Sequence, residues 1–298
     1  MRKQRIILGL WLGFWLGLWA SFPAPVAADG AGNPERGQAI AALAGGCGCH
    51  TPEKGLVGAG GVEIETPFGV FYSTNITSHP EAGIGSWTDE EIDAALRRGD
   101  LPDGSVESPV MPYDLYAGMS DEDARDLIAW LRTLPPSPTK NRPHDVDIPF
   151  ARLGFWGWRL LFAPSERPPA RAPSSGVERG RYLTDHVSIC GHCHTPRNIF
   201  GALDSSMYLA GVNDGPLGAP VPNITPDKKT GVGDWDQADM VSLLEMGMLP
   251  DMDNVQGKMA EVIDGIAGGP GYVMAPVADL EAIAEYLATV PPIAHKVD

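Results

Sequence analysis

Apolar and polar positions follow a helical period in three stretches of the first half of the chain. The clearest stretch begins at the capping sequence 120–123 and stops at two prolines, 135–136. A cap followed by an apolar stripe predicts an amphipathic helix. The stripe consists of Leu127, Ile128, Leu131 and Leu134. Two earlier helices are predicted, one beginning near Pro34 and one running from Trp87 to Gly99.

The second half of the chain shows the same order of elements. Helices are predicted over residues 177–187, 235–247 and 277–289, and the last one again stops at two prolines, 291–292. Neither half contains the alternating apolar and polar runs that are typical of half-buried strands. We therefore predict an all-α fold with three short helices in each half.

A sequence repeat explains why this order recurs. Asn75 and Asn223 are 148 positions apart, as are Met111 and Met259 (223 − 75 = 259 − 111 = 148), with no gap between them. The other matched residues are Ile76 and Ile224, Thr77 and Thr225, Trp87 and Trp235, Gly99 and Gly247, and 101–103 and 249–251. A repeat of this length predicts two tandem domains related by internal duplication.

The predicted domains cover residues 29–138 and 175–298 and are joined by a linker, 139–174, that contains an aromatic segment. This segment, residues 150–162, is shorter than the ~20 residues that span a bilayer. The favoured interpretation is that it packs across both domains as core, because large exposed apolar patches are uncommon. The alternative is an aromatic surface that meets a partner or the membrane interface.

The first 28 residues are predicted to form a secretory signal peptide. Basic residues precede an apolar run, 6–20, and small residues at 26–28 offer a cleavage site. Their removal would change the net charge from −16 to −19, since the segment holds three basic and no acidic residues. We expect a periplasmic protein, with association with the inner membrane as an open alternative. The negative charge argues against a nucleic-acid partner.

All four cysteines lie in two short clusters, so none remains for a disulfide elsewhere. The second cluster runs from Cys190 through Cys193 to His194 and has the spacing C-x-x-C-H. In this spacing two thiols can add to the two vinyl groups of one haem, and the histidine can ligate its iron. The alternatives are a redox-active C-x-x-C or half of a zinc site.

The first cluster, Cys47-Gly48-Cys49-His50, is one residue shorter. The distance from the preceding matched glycine to the first cysteine is ten residues in both halves (47 − 37 = 190 − 180 = 10), so the missing residue lies between the cysteines. Cys49 and His50 remain adjacent. We predict a second covalently bound haem here, with His50 as a ligand and a thioether at Cys49. A bond to Cys47 is left open.

An iron that only passes electrons needs a second axial ligand, and methionine serves this role in cytochromes c. Of the ten methionines, the repeat selects Met111 and Met259, because they occupy matched positions. Met274 is a competitor in the second half, but it has no counterpart 148 positions earlier. The predicted ligand pairs are therefore His50 with Met111 and His194 with Met259.

Several polar residues near the clusters are candidates for orienting a haem. A carbonyl beside Pro196 is a candidate acceptor for the ring N–H of His194, on the nitrogen that does not bind iron. His192 is interpreted as a surface residue, and Arg197 as a candidate partner of a propionate. Contact with a propionate, or core packing and helix capping, is equally open for Asn75, Asn223, Trp87 and Trp235.

The chain resembles the cytochrome c subunits of membrane-associated bacterial dehydrogenases, such as quinoprotein alcohol dehydrogenase and flavin-dependent gluconate dehydrogenase. The resembling segments are 157–162, 190–198, 223–227, 231–235, 257–262 and 282–287. The resemblance implies electron transfer from a periplasmic dehydrogenase to an oxidase, a quinone or another cytochrome, with no substrate of its own. The chain departs from those subunits in its shortened first cluster and in having two predicted modules, where they often have three.

A different class of function is a dihaem enzyme, such as a peroxidase or a thiosulfate-oxidising cytochrome. A peroxidase needs an open iron position beside acid–base groups. Matched methionines in both halves would fill that position. A zinc or redox-sensing module would leave the duplicated methionine unexplained, so the sequence favours an electron-transfer protein.

Overall fold

Helical caps and apolar stripes are the local signals that define the fold. The computed structural model describes residues 32–146, 150–164, 167–215 and 218–298. The predicted signal peptide therefore lies outside the described residues. The helices are α1 Pro34–Leu43, α2 Asp89–Arg98, α3 Tyr113–Tyr116, α4 Asp121–Leu131, α5 Ala151–Phe162, α6 Gly176–His186, α7 Cys190–His194, α8 Gln237–Met246, α9 Lys258–Asp264 and α10 Val277–Leu287. Short 3-10 turns cover Gly45–His50, Ser205–Met207 and Tyr272–Met274. None of the helices in the described ranges is long and apolar enough to cross a membrane.

The six predicted helices are confirmed as α1, α2 and α4 in the first half and α6, α8 and α10 in the second. Their ends follow the capping signals. The Thr88 side chain accepts a hydrogen bond from the Glu91 backbone N–H, and the Glu91 carboxylate accepts one from the Thr88 N–H. Asp236 and Asp239 form the equivalent capping box of α8. Both helices end at a left-handed glycine, Gly99 in α2 and Gly247 in α8.

In each half the first helix crosses the last at a glycine. A Cβ atom on Gly37 would lie 1.9 Å from the Asp126 carbonyl oxygen, and one on Gly180 would lie 1.8 Å from that of Ala282. These contacts join α1 to α4 and α6 to α10. Since no side chain fits at either crossing, the helix axes can approach closely, and Leu43 and Leu183 are fully buried nearby.

A small antiparallel sheet corrects the all-α prediction, although the fold remains mainly helical. Its strands are β1 Glu63–Thr66, β2 Gly69–Tyr72 and β3 Asp145–Val146, in that order. β1 and β2 form a hairpin with Thr66 opposite Gly69. β3 comes from the predicted linker and pairs with β2. The strands were missed because they are two to four residues long, too short to show an alternating pattern.

The aromatic segment forms α5, which packs as core on one face only. The Trp158 ring contacts Tyr113 of the first half edge-on, with centroids 6.1 Å apart. Its indole N–H donates to the carbonyl of Phe200 in the second half at 3.0 Å. The opposite face carries the apolar side chains Leu153, Trp156, Leu160 and Leu161, which are 69, 50, 69 and 75% exposed. The predicted core role thus holds for half of the helix surface.

Candidate haem sites

His194 closes the short helix α7 and is held in one orientation by the backbone. Its Nδ1 lies 2.8 Å from the carbonyl oxygen of Pro222. Because a carbonyl only accepts hydrogen bonds, Nδ1 carries the proton and the lone pair is on Nε2. Pro222, and not a carbonyl beside Pro196, therefore provides the orienting contact. This acceptor lies 28 residues along the chain and could not be found from residues adjacent to the cluster.

His50 has the equivalent contact in the first half. Its Nδ1 lies 2.7 Å from the carbonyl oxygen of Thr74. Thr74 precedes Asn75 as Pro222 precedes Asn223. Burial lowers the pKa of both histidines, and the hydrogen bond to the carbonyl opposes this in each case. Both imidazoles are therefore neutral near pH 7, which is the form that ligates a metal through Nε2.

The Asn-Ile-Thr motif fixes the loop that carries these carbonyls. The Asn75 side-chain oxygen accepts hydrogen bonds from the Thr77 N–H and hydroxyl, at 2.9 and 2.6 Å. The equivalent bonds from Thr225 to Asn223 are 2.9 and 2.7 Å long. The amide nitrogens donate to backbone carbonyls just after the last helix of each half: Ser137, Thr139, Ile293 and His295.

Both asparagine amides thus donate their hydrogen bonds to backbone carbonyls, which favours a structural role for these residues over contact with a propionate. Trp87 and Trp235 are half-buried and pack against the main hydrophobic cluster. Arg197 is held within its own loop, where its guanidinium donates to the Gly201 carbonyl at 2.7 Å.

His192, which the sequence suggested as a surface residue, makes an exposed contact with Arg197. It is half-buried, and its Nδ1 lies 2.9 Å from a guanidinium nitrogen of Arg197. Burial, followed by the Arg197 charge, lowers the pKa of His192 to about 3. His192 is therefore a neutral hydrogen-bond partner of Arg197.

The cysteines form two matched pairs by position and exposure. Cys47 and Cys190 are half-buried and pack against the hydrophobic cluster, whereas Cys49 and Cys193 are exposed. Burial raises the pKa of both Cys47 and Cys190 to about 12. Each cluster thus has one thiol packed against the core and one exposed thiol, and the exposed cysteine directly precedes the histidine in the sequence.

The shortened cluster is accommodated by a tighter turn. The Thr195 N–H donates to the carbonyl of Gly191, four residues back, as in an α-helix. The Thr51 N–H donates to the carbonyl of Gly48, only three residues back, as in a 3-10 helix. The Gly48 carbonyl thus takes the place of the Gly191 carbonyl. One residue separates Gly48 from His50, whereas two residues separate Gly191 from His194. The missing residue lies between the cysteines, where the repeat also located it.

The predicted methionines lie at the edge of the same core. Met111 and Met259 are both half-buried and pack against the main hydrophobic cluster. Met274 is 48% exposed. In the second half Tyr272 matches Tyr116 of the first (272 − 116 = 156), so Met274 occupies the position of Gly118. The role of Met111 and Met259 as ligands remains a prediction.

The donor set fits a covalently bound haem in each half. Exposed thiols are available at Cys49 and Cys193 for addition to a vinyl group. His50 and His194 each have a ring held through Nδ1, which leaves the lone pair on Nε2. Half-buried sulfur-containing side chains of both halves pack against the main hydrophobic cluster: Cys47, Cys190, Met111 and Met259. A hydrophobic environment of this kind is what a haem requires.

Comparison with known proteins identifies relatives for nearly the whole described chain. Residues 34–135 match the cytochrome c family. A diheme cytochrome c-type protein of Cereibacter sphaeroides is 40% identical over 269 residues, which cover 88% of this chain and 87% of that protein. The cytochrome c subunit of a quinone-dependent alcohol dehydrogenase of Gluconobacter oxydans is 36% identical over 87% of this chain. The fructose dehydrogenase cytochrome subunit of Gluconobacter japonicus is 38% identical over 86%. The chain spans about half the length of these two dehydrogenase subunits, at 55 and 52%.

Proposed function

Because this chain belongs to the cytochrome c family, we propose that it is a dihaem electron carrier built from two tandem cytochrome c domains, 29–138 and 175–298. Several relatives are cytochrome c subunits of dehydrogenases, and the same electron-transfer role, without a substrate of its own, is proposed for this chain. The observation that carries the proposal is the repeated histidine–carbonyl contact, His50 with Thr74 and His194 with Pro222. Two rings held in the same way, each beside a cysteine, are two equivalent ligands.

Each iron is proposed to be held between a histidine and a methionine, His50 with Met111 and His194 with Met259. When bound, a haem supplies an iron that gains and loses one electron. The protein contributes two neutral axial ligands and a largely apolar wall, and a methionine ligand raises the reduction potential. Filling both axial positions leaves none for peroxide, which separates this function from that of a dihaem peroxidase.

The second haem is proposed to be bound through Cys190 and Cys193, and the first through Cys49; a second bond in the first site would use Cys47. In each bond the S–H adds across a vinyl group, so a carbon–sulfur bond forms and the thiol hydrogen moves to the vinyl carbon. The exposed position of Cys49 matches that of Cys193. Cys47 differs in backbone from Cys190, because its φ of 58° is left-handed. Only Cys49 directly precedes the histidine in the first half.

Intact mass of the mature protein tests the proposal. The expected result is a gain of two haems over the polypeptide mass, with absorption bands of low-spin c-type haem. A gain of one haem would contradict it. Rapid turnover of peroxide or thiosulfate by the purified protein would favour the enzyme alternative instead.

The proposed donor is a periplasmic dehydrogenase, and the acceptor is an oxidase, a quinone or another cytochrome. Relatives are cytochrome subunits of alcohol and fructose dehydrogenases, which supports such a donor. The proposed location is the periplasm. Reduction of the oxidised protein by a periplasmic dehydrogenase with its substrate, measured by the haem absorption, tests the direction of electron flow.

Peripheral association with the membrane is proposed to use the exposed face of α5. Its leucines and Trp156 form an apolar face on a helix, as interfacial helices do. The expected result is flotation of the mature protein with phospholipid vesicles. Flotation should be lost on Leu160→Glu with Leu161→Glu and retained on Met252→Glu, which changes the charge at another exposed apolar residue. Equal flotation of both variants would contradict the assignment.

A further inference from the structure

The second half contains eight residues for which the first half has no equivalent. Met111 and Met259 are 148 positions apart, whereas Tyr116 and Tyr272 are 156 apart (156 − 148 = 8). The last helices, α4 and α10, keep the larger offset. The additional residues therefore lie between Met259 and Tyr272. Their most irregular part is the glycine-rich stretch 265–271, here termed the 265–271 loop.

The 265–271 loop lies against the cysteine cluster of the other half. A Cβ atom on Gly46 would lie 1.8 Å from the carbonyl oxygen of Pro270. One on Gly48 would lie 3.0 Å from Cδ1 of Ile266. The contact therefore spans the turn that carries Cys47 and Cys49, from its entry to its centre.

Buried residues at both ends fix the loop in this position. Ile263 is 1% exposed and Tyr272 is 3% exposed. Within the loop, Gly265 has a φ of 80°, and a Cβ atom there would lie 2.2 Å from the Gly269 carbonyl oxygen. The loop is thus folded back on itself, and Ile266 and Pro270 are its residues that contact the first cluster.

The second cluster has a different environment. A Cβ atom on Gly191, the equivalent of Gly48, would lie 3.2 Å from the ring of Tyr208, a residue of its own half. The first cluster is one residue shorter and has the loop of the other half beside it. The shortened first cluster therefore lies against the residues that the second half has in addition.

We propose that the 265–271 loop is part of the first haem site. It supports the tight turn that bears Cys47, Cys49 and His50, and it packs against the half-buried side of this attachment site. Pro270 and Ile266 act as positioning residues, through the backbone at Gly46 and Gly48. The first haem thus depends on a loop of the second half of the chain. This inference rests on the proposed binding of two haems.

A matched pair of glycine substitutions tests it. Gly45 and Gly46 have similar left-handed φ values, 71° and 65°, so alanine strains the backbone similarly at both. At Gly45 the nearest atom to an added Cβ is 3.6 Å away, on Val262. Only Gly46→Ala forces a Cβ into the loop backbone. We expect Gly46→Ala to lose at least half of the first haem and Gly45→Ala to lose much less.

The two haems are counted separately by tryptic peptide mass. Trypsin releases the first cluster in residues 37–54 and the second in residues 182–197. The second peptide should keep its haem in both variants. Equal haem content of the first peptide in Gly45→Ala and Gly46→Ala would overturn the proposal, as would equal loss from both peptides in Gly46→Ala.

A milder variant tests the proposal without a substitution that could prevent folding. Ile266→Ala should lower the midpoint potential of one haem and leave the other unchanged, because a more exposed haem has its oxidised, charged form better solvated. Val273→Ala, at a 51% exposed residue just beyond the loop, is the control and should change neither. Unchanged potentials in Ile266→Ala would contradict the proposal. One haem in the unaltered protein would instead contradict the proposed function.

Discussion

His194 and Pro222 are joined by a hydrogen bond of 2.8 Å between the imidazole Nδ1 and a backbone carbonyl. The carbonyl belongs to a loop whose next residue, Asn223, is tied to the chain after α10. The orientation of the His194 ring and the anchoring of the C-terminal segment therefore depend on the same few residues. The first half has the same arrangement with His50, Thr74 and Asn75.

Removal of the Asn223 side chain should destabilise the protein. Asn223→Ala leaves the buried Thr225 N–H without its acceptor, leaves the Thr225 hydroxyl only a longer contact of 3.4 Å to the Ile293 carbonyl, and removes the amide donor to that carbonyl. Buried unsatisfied groups cost ~1–3 kcal/mol each. We expect the free energy of unfolding to fall by about 3 kcal/mol in denaturant titrations. Asn254→Ala, at an exposed asparagine, should change it by less than ~0.5 kcal/mol. Similar losses in the two variants would contradict this account.

The glycine at the α6–α10 crossing should not tolerate a side chain. In Gly180→Ala the new Cβ would lie 1.8 Å from the Ala282 carbonyl oxygen, so the helices must separate. We expect a loss of ~1–3 kcal/mol or more in the free energy of unfolding. Gly157→Ala is the control, because nothing lies within 4 Å of its Cβ position in α5. It should instead stabilise the protein by ~0.5–1 kcal/mol, since alanine favours a helix. Thermal unfolding distinguishes these opposite signs.

Features set by neighbouring residues could be predicted from the sequence. The ends of α2 and α8 follow from the capping residues Thr88 and Asp236 and from glycines at matched positions. Helix order and the repeat register depend on local periodicity, which a single sequence displays directly. The matched cysteines and histidines could be identified for the same reason.

Features that depend on distant pairing could not be predicted. Strand β3 is two residues long and pairs with β2, more than seventy residues earlier. The acceptor for His194 is in a different loop. The 265–271 loop was visible only as an insertion, and its contact with Gly46 requires the packing of one half against the other. For α5, a sequence that is apolar except for Arg152 and Arg159 conceals that only one face is covered.

Stability should depend on the ionisation of Glu107. Burial raises the pKa of this carboxyl above its ordinary value, although a hydrogen bond from the Ser108 N–H opposes the shift. The folded state therefore holds the proton more tightly than the unfolded state. The resulting stabilisation is present below the unfolded pKa and is lost as the pH rises through the folded pKa.

Glu107→Gln should accordingly raise the free energy of unfolding at pH 7 and have little effect at pH 3, because the amide can still accept the Ser108 hydrogen bond. Denaturant titrations at both pH values measure the difference. Glu35→Gln, at an exposed residue in the first turn of α1, is the control and should show no such gain at pH 7. A gain of equal size at both pH values would contradict the ionisation argument.

The identity of the second ligand in the second half can be decided by spectroscopy. Met259 is half-buried against the core, whereas Met274 is about half exposed and occupies the position of a glycine in the first half. A thioether sulfur bound to ferric iron gives a near-infrared absorption band that an imidazole ligand does not. Met259→His should therefore remove about half of this band and lower the midpoint potential of one haem. Met274→His should leave the band intact, since it changes a residue outside the proposed ligand set. If the band survives in Met259→His and is halved in Met274→His, the repeat register has selected the wrong methionine.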